Sequence, residues 1–410
     1  MSNFARVWSA RLARMAPGII SSASDNDPTT VASLAVIGST TTYALGWLVL
    51  LVIPMLAIVQ AISTQIGAVT RCGLEDIVRS RYGRIAALAV LFAVIVVNVL
   101  TLAADLEGGG AAMSLLTGVD YRWWIVPLTA FALILLIANS YRSIERVLVY
   151  LPLTFVSYVI AAFLAHPDWG AVLRSSFIPH FEHTKEYIAG AIALLGTTLT
   201  AYAYVWQQVE ISEEAPPLRR LGLVQIDASA GAIGAGIIFW FITITTGATL
   251  GVHHKVVNTA EEAALALTPL AGHWASTLFG IGLLGSALLA IPVLLATSAY
   301  IVTEMFHWRG KLDAKFFQAR RFYIIMLVVA AIGCSIGFAG VTPIHLLFIS
   351  SIAGGIATPV TLVFLLLAAG DRTVLRDHCV APWLLVCGWV TTGIVTTAAA
   401  IFLYQTFAPL

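Results

Sequence analysis

Charged side chains are scarce. Asp, Glu, Lys and Arg make up 10% of the 410 residues, where a soluble domain carries about 25%. That excludes a globular protein with an ordinary solvated surface. Cysteine is scarce too: Cys72, Cys334, Cys379 and Cys387 are scattered without metal-ligand spacing, which argues against a zinc site or a disulfide framework and reads as small apolar residues. The formal charge is only +1, with no basic patch and no interleaved aromatics, so no nucleic-acid partner is expected. No His-Glu-x-x-His or Gly-x-Ser-x-Gly set occurs, so the chain does not read as an enzyme, and no cofactor is expected. Gly108-Gly109-Gly110 is followed by no Lys-Ser/Thr pair, which excludes a phosphate loop and leaves close helix approach. Met1–Met15 carries Arg6, Arg11 and Arg14 but no apolar core, so it reads as a cytoplasmic lead-in rather than a cleavable signal.

What is abundant is apolar surface: 59% hydrophobic residues and a mean hydropathy of +0.92. The apolar runs are long and do not alternate, which points to membrane-spanning helices rather than a barrel. Eleven spans are expected, near 15–43, 46–70, 85–117, 122–139, 146–165, 186–212, 221–250, 268–306, 321–340, 343–368 and 381–406. The third and eighth runs are too long for one perpendicular crossing and must tilt or protrude. With the N-terminus inside, 18 of the 22 Lys and Arg fall in inside loops; only Arg122, Arg174, Lys185 and Lys255 fall outside. This bias supports the orientation as well as the count, since one missed span would scramble it. The C-terminus is then extracytoplasmic. The outside loops hold His166, His180, His183, His253 and His254, with His273 at the start of a span; no pair has helical ligand spacing, and they read as solvated.

Two stretches interrupt the apolar pattern. Asp25-Asn26-Asp27-Pro28-Thr29-Thr30 lies inside the first span. Proline breaks the helix there, and carboxylates at membrane depth line a pathway or bind something. Asp25 lines the approach to Asp27 or caps a helix end. The second stretch is Gly196-Thr197-Thr198-Leu199-Thr200-Ala201-Tyr202, midway in the sixth span. Its glycine and clustered hydroxyls weaken the helix and offer spare carbonyls. Five spans separate one interruption from the other, so the second set of five starts with opposite orientation. Matching breaks in two inverted halves mark a midplane binding site. The organisation predicted is a lead-in at 1–14, a first repeat of helices 1–5 at 15–165, an extracellular loop at 166–185, a second repeat of helices 6–10 at 186–368, and an additional helix 11 at 381–406.

At these stretches the chain resembles the NRAMP family of divalent-metal transporters, and most closely its magnesium-related branch. The family's first-span Asp-Pro-Gly-Asn is represented by Asp27-Pro28-Thr29-Thr30. Its sixth-span Gly-Ala-Thr-x-Met-Pro-His, or Gly-Thr-Thr-Ile-Ser-Pro-Tyr in the magnesium branch, is represented by residues 196–202. Ala104-Asp105-Leu106 resembles the third-span Ala-Asp-Leu. The resemblance implies an all-α polytopic membrane protein of the leucine-transporter type, an inverted five-plus-five repeat with discontinuous helices 1 and 6. It also implies a metal site at Asp27, Thr30, Thr197 (through its carbonyl) and Thr200.

The departures from the family pattern bear on the cargo. Thr200 stands where the family has a soft methionine, and Thr30 where it has asparagine. Hydroxyls are hard ligands suited to Mg²⁺, Ca²⁺ or Mn²⁺, and Asp27 is the only charged candidate ligand. Mg²⁺ dehydrates reluctantly, so the site is expected to be wet. The family's proton-coupling histidine falls at Gln207, and the acidic partner of Asp105 falls at Gly108. Glu107 lies on another face. Asp105 and Glu107 read either as a relay or as buried acids satisfied locally. Tyr202, Trp206 and Ser351 are expected near the site or its pathway, although Trp206 and Ser351 suit packing equally well.

The function expected is a secondary transporter of hydrated divalent cations in the cell membrane, Mg²⁺ first and Mn²⁺ next, without proton coupling. The alternatives are a proton-coupled Mn²⁺/Fe²⁺ transporter of the usual family type, or an organic-cation or amino-acid carrier of the same fold. The expected partners are the metal ion and the lipid bilayer; the oligomeric state is not legible, and a monomer is compatible with the sequence.

Overall fold

The computed structural model of the protein describes residues 26–138, 152–308, 310, 312, 314 and 317–407. The lead-in, Asp25 and the first half of the opening span lie outside the described residues, as does the start of the fifth span. Every regular element described is helical. Seven helices are long and apolar enough to cross a membrane, or eight with one bent pair. The expected count of eleven is therefore not reached by that measure among the described residues, although every expected run carries a helix. The shortfall lies in short helices such as Pro28–Thr41 (α1), Arg122–Ile137 (α5) and Arg320–Ile336 (α12).

After α1 come Gly46–Thr70 (α2), the short Leu74–Tyr82 (α3) and the 34-residue Arg84–Thr117 (α4). Past α5, Ser157–Leu164 (α6) belongs to the bent pair, which turns by 120° into Trp169–Phe177 (α7). The segment read as an outer loop thus contains a helix, started by the Asp168 side chain accepting the N–H groups of Gly170 and Ala171. Then follow Lys185–Thr198 (α8), Ala201–Glu214 (α9), Leu221–Thr249 (α10), Ala275–Met305 (α11), α12, Pro343–Gly370 (α13) and Pro382–Phe407 (α14). The long eighth run is interrupted at Gly272, φ +52°, ahead of the 31-residue helix Ala275–Met305.

α1 is buried at every position from Pro28 to Ser39. A helix buried on all sides belongs in the middle of a bundle, and α10, α8, α13 and α4 surround it. Glycines set how close they come. A Cβ on Gly108 of α4 would press on the Pro28 ring at 2.8 Å, and one on Gly196 of α8 would collide with the Ser351 carbonyl and the Gly355 backbone of α13. At the periphery α14 is largely exposed, as expected of a helix appended to the bundle and facing lipid.

α3, nine residues between the second and third spans, carries Glu75, Asp76, Arg79 and Arg81. Its N-terminal N–H groups at Glu75 and Asp76 are taken by the Glu304 carboxylate from the end of α11. Arg79 donates to the Met305 carbonyl, and Asp76 lies 3.6 Å from His307. Arg81 pairs with Asp371 at 2.5 Å. The Glu75 carboxyl is fully buried and neither oxygen has a hydrogen-bond partner. Burial pushes it up to about 8, with the neighbouring Asp76 charge adding to the shift.

Candidate functional site

The described half of the first span starts at the proline. Asp27 is extended (φ −65°, ψ 164°) and Pro28 opens the helix, as suits a ring with fixed φ and no N–H. The Asp27 carboxylate accepts the Thr30 N–H at 2.6 Å through Oδ1, an N-cap made by the same residue that would bind a cation. The next free N–H, that of Thr29, is taken by a second carboxylate: Asp105 Oδ1 accepts it at 3.1 Å and the Thr29 hydroxyl at 2.6 Å. Two acids therefore hold successive residues at the positive end of α1.

The sixth span is broken where the hydroxyls cluster. α8 ends at Thr198, whose side chain bonds back to the Leu194 carbonyl at 2.6 Å. Leu199 and Thr200 leave the helix, and α9 begins at Ala201. The carbonyl of Leu199, freed by the break, accepts the Thr358 hydroxyl of α13 at 3.1 Å. Thr200 turns its hydroxyl to the carbonyls of Gly196 and Thr197, at 2.5 and 2.9 Å.

The two interruptions meet. Thr30 Oγ1 lies 2.9 Å from Thr197 Oγ1 and 3.5 Å from the Thr197 carbonyl. The Tyr202 phenol donates to Asp27 Oδ2 at 2.7 Å. Asp27, Thr30, Thr197, Thr200 and Tyr202 are thus one bonded group, 0–5% exposed. Asp105 joins it through Thr29. Ser351 joins the same helix one turn on, 2.6 Å from the Ser33 hydroxyl. Trp206 is a turn further along α9 and meets the Tyr300 ring edge-on at 6.3 Å; Gln207, the next residue, is buried. Glu107 is fully buried on another face of α4 from Asp105, and neither of its oxygens has a hydrogen-bond partner.

Thr29, Ser33 and Thr358 escape a sequence reading. Thr29 alone had a local signal, standing next to Asp27-Pro28; Ser33 and Thr358 are ordinary hydroxyls in apolar runs, and only the rotation of their helices aims them inward. The assembled polar atoms are all oxygens: the Asp27 carboxylate, the Thr197 carbonyl, three threonine hydroxyls and the Tyr202 phenol. A hydroxyl that donates its proton to a neighbour keeps lone pairs for a cation. Among the described residues no group of three or more His, Cys, Asp or Glu is placed to hold a metal. A divalent ion here would meet one charge and a ring of neutral, hard oxygens.

Residues 18–405 match the family described as natural resistance-associated macrophage protein-like. The divalent metal cation transporter MntH of Deinococcus radiodurans is 27% identical over 411 residues, spanning 95% of this chain and 89% of that protein. The protein of the same name from Bacillus subtilis is 22% identical over 402 residues, spanning 96% and 92%. Among solved structures, the Eremococcus coleocola manganese transporter shares the fold with a TM-score of 0.76 at 19% identity, covering 98% of this chain and 89% of that one. MhsT in complex with L-phenylalanine gives 0.66 at 15% identity, covering 95% and 98%. The architecture is therefore the leucine-transporter type shared by these carriers. With the match running through the whole bundle and both interrupted helices, the chain belongs to the NRAMP family.

Proposed function

We propose that this protein is a secondary transporter of hydrated divalent cations, Mg²⁺ foremost and Mn²⁺ next, working by alternating access without proton coupling. The observation that carries the reading is the meeting of Asp27 and Thr30 with the broken helix at Thr197–Thr200. That group offers a cation one carboxylate and otherwise only neutral oxygens. Relatives along nearly the whole chain are named divalent metal cation transporters, and a structural neighbour is a manganese transporter. The absence of a thioether at position 200 favours hard ions over soft ones. One carboxylate does not replace the hydration shell of Mg²⁺, so the ion keeps several waters in the site.

The case against coupling is also local. Gln207 does not titrate, Gly108 offers no acid, and Asp105 spends one oxygen on Thr29. A relay needs a chain of titratable groups. The protein is placed in the cell membrane with its N-terminus cytoplasmic and its C-terminus extracytoplasmic, following the Lys and Arg distribution. In proteoliposomes, Asp27→Ala is expected to abolish Mg²⁺ and Mn²⁺ influx while the protein still elutes as a folded species; wild-type flux in that variant would reject the site. Metal entry is expected without acidification of the lumen, and a pH signal that scales with metal would reject uncoupled transport.

A further inference from the structure

We propose that the Tyr202 hydroxyl is an internal competitor for the transported ion, occupying Asp27 until the cation displaces it and so holding affinity down and release fast. The inference rests on the reading of Asp27 as the cation's carboxylate. In the structure both Asp27 oxygens are engaged. Oδ1 caps α1 through the Thr30 N–H, and Oδ2 accepts the Tyr202 phenol at 2.7 Å. The carboxylate is 1% exposed, so the phenol supplies a hydrogen bond there that bulk water does not.

Tyr202 differs from the three threonines around it. Thr200 points its proton at carbonyls, and Thr30 shares one with Thr197, so those oxygens keep lone pairs that a cation can use. The Tyr202 proton instead sits on the carboxylate, where the cation's charge must go. Phenol and ion draw on the same carboxylate charge, and with Oδ1 already capping α1 the phenol takes one of the lone pairs left on Oδ2. The ring is fixed for this role: it is the second residue after the break, 2% exposed, in an apolar cluster with Leu102, Leu106, Ile291 and Leu294. Its hydroxyl therefore returns to Asp27 when the ion leaves. A carrier needs binding strong enough to load and weak enough to unload. A donor built into the empty site lowers the free energy of the unloaded state alone, and so acts on every divalent ion equally.

The test is Tyr202→Phe, which removes one oxygen and keeps the ring. Titration calorimetry with Mg²⁺ and with Mn²⁺ is expected to give a Kd lower by roughly ten- to a hundred-fold for both, the range equivalent to one hydrogen bond to a charged group. The ratio between the two ions should stay unchanged. Uptake should show KM and Vmax falling together, because a tighter ion leaves more slowly. Placing 3-fluorotyrosine at 202, a stronger donor on the same frame, should move Kd the other way. Unchanged or weaker binding in Tyr202→Phe, or tightening for one ion only, overturns the proposal, since a residue that ligates the ion would lose affinity. Asp27→Ala separates the two levels. If it binds like the wild type, the site reading itself fails; if it abolishes binding while Tyr202→Phe does not tighten it, only the competitor role fails.

Discussion

Asp105 offers a sharp test because two roles for it predict opposite results. In the structure it is a clasp: one oxygen receives both the backbone N–H and the hydroxyl of Thr29, which fixes the first turn of α1 against α4. Hydrogen bonds to a charged acceptor contribute about 1.5–3 kcal/mol each. Removing both with Asp105→Ala costs at most about 3–6 kcal/mol, less where the two share one oxygen and are not additive. If half of the upper figure falls on the ordering of the site, metal affinity drops by about a hundred-fold. Asp105→Asn keeps an oxygen in the same place. Neutral bonds are roughly half as strong as charge-assisted ones, so this variant is expected to stay within about ten-fold of wild-type uptake. Thr29→Val removes only the hydroxyl and should fall between the two. The assay is Mn²⁺ entry into proteoliposomes carrying a quenchable dye, with thermal unfolding as the folding control. An Asp105→Asn protein that unfolds normally yet transports no better than Asp105→Ala would refute the clasp, because only the titratable charge would then distinguish it from the wild type.

Thr200→Met is expected to raise the preference for Mn²⁺ over Mg²⁺ by placing a thioether against the ion; the readout is the ratio of Kd values, and an unchanged ratio would remove Thr200 from the ligand set. Gly196→Ala should cost about 1–3 kcal/mol or more by driving a methyl into the backbone of α13, with loss of uptake. Gly234→Ala, whose Cβ would meet nothing within 4 Å, should instead stabilise by roughly 0.5–1 kcal/mol. Glu75 governs a pH dependence. Its folded-state value is raised from an ordinary 4.5 to about 8, so the folded protein keeps a proton that the unfolded chain loses. Stability contributed there is present below about 4.5 and declines as pH rises through about 8. The melting temperature should therefore fall between pH 6 and 8.5, and Glu75→Gln should flatten that slope; a parallel slope in the variant would reject the assignment.

Much of this architecture is legible in the chain because membrane helices are written in composition and length. A proline beside a carboxylate inside an apolar run marks Asp27-Pro28, and a glycine with clustered threonines marks the break after Thr198. What is not legible is which hydroxyls meet. Thr29 and Asp105 are 76 residues apart, Ser33 and Ser351 are 318 apart, and Thr358 and Leu199 are 159 apart. Those pairs depend on the rotation of each helix, which nearly uniform hydrophobicity around α1 leaves unmarked. The outer segment after α6 looks like a loop because α7 has only nine residues, too few to register as a span. Glu107 is legible as lying on another face from Asp105, since two residues along a helix turn the side chain aside; that neither of its oxygens finds a hydrogen-bond partner is not.

The join between α8 and α9 is only two residues long, Leu199 and Thr200. α9 is a rigid rod of 14 residues, about 21 Å from end to end. Pivoting it by about 10° at that join would carry its far end through nearly 4 Å while Thr200 hardly stirs. The same short joint is thus a fulcrum: if the oxygens at Thr197–Thr200 hold the ion as proposed, the far end of α9 can swing while those oxygens stay in place.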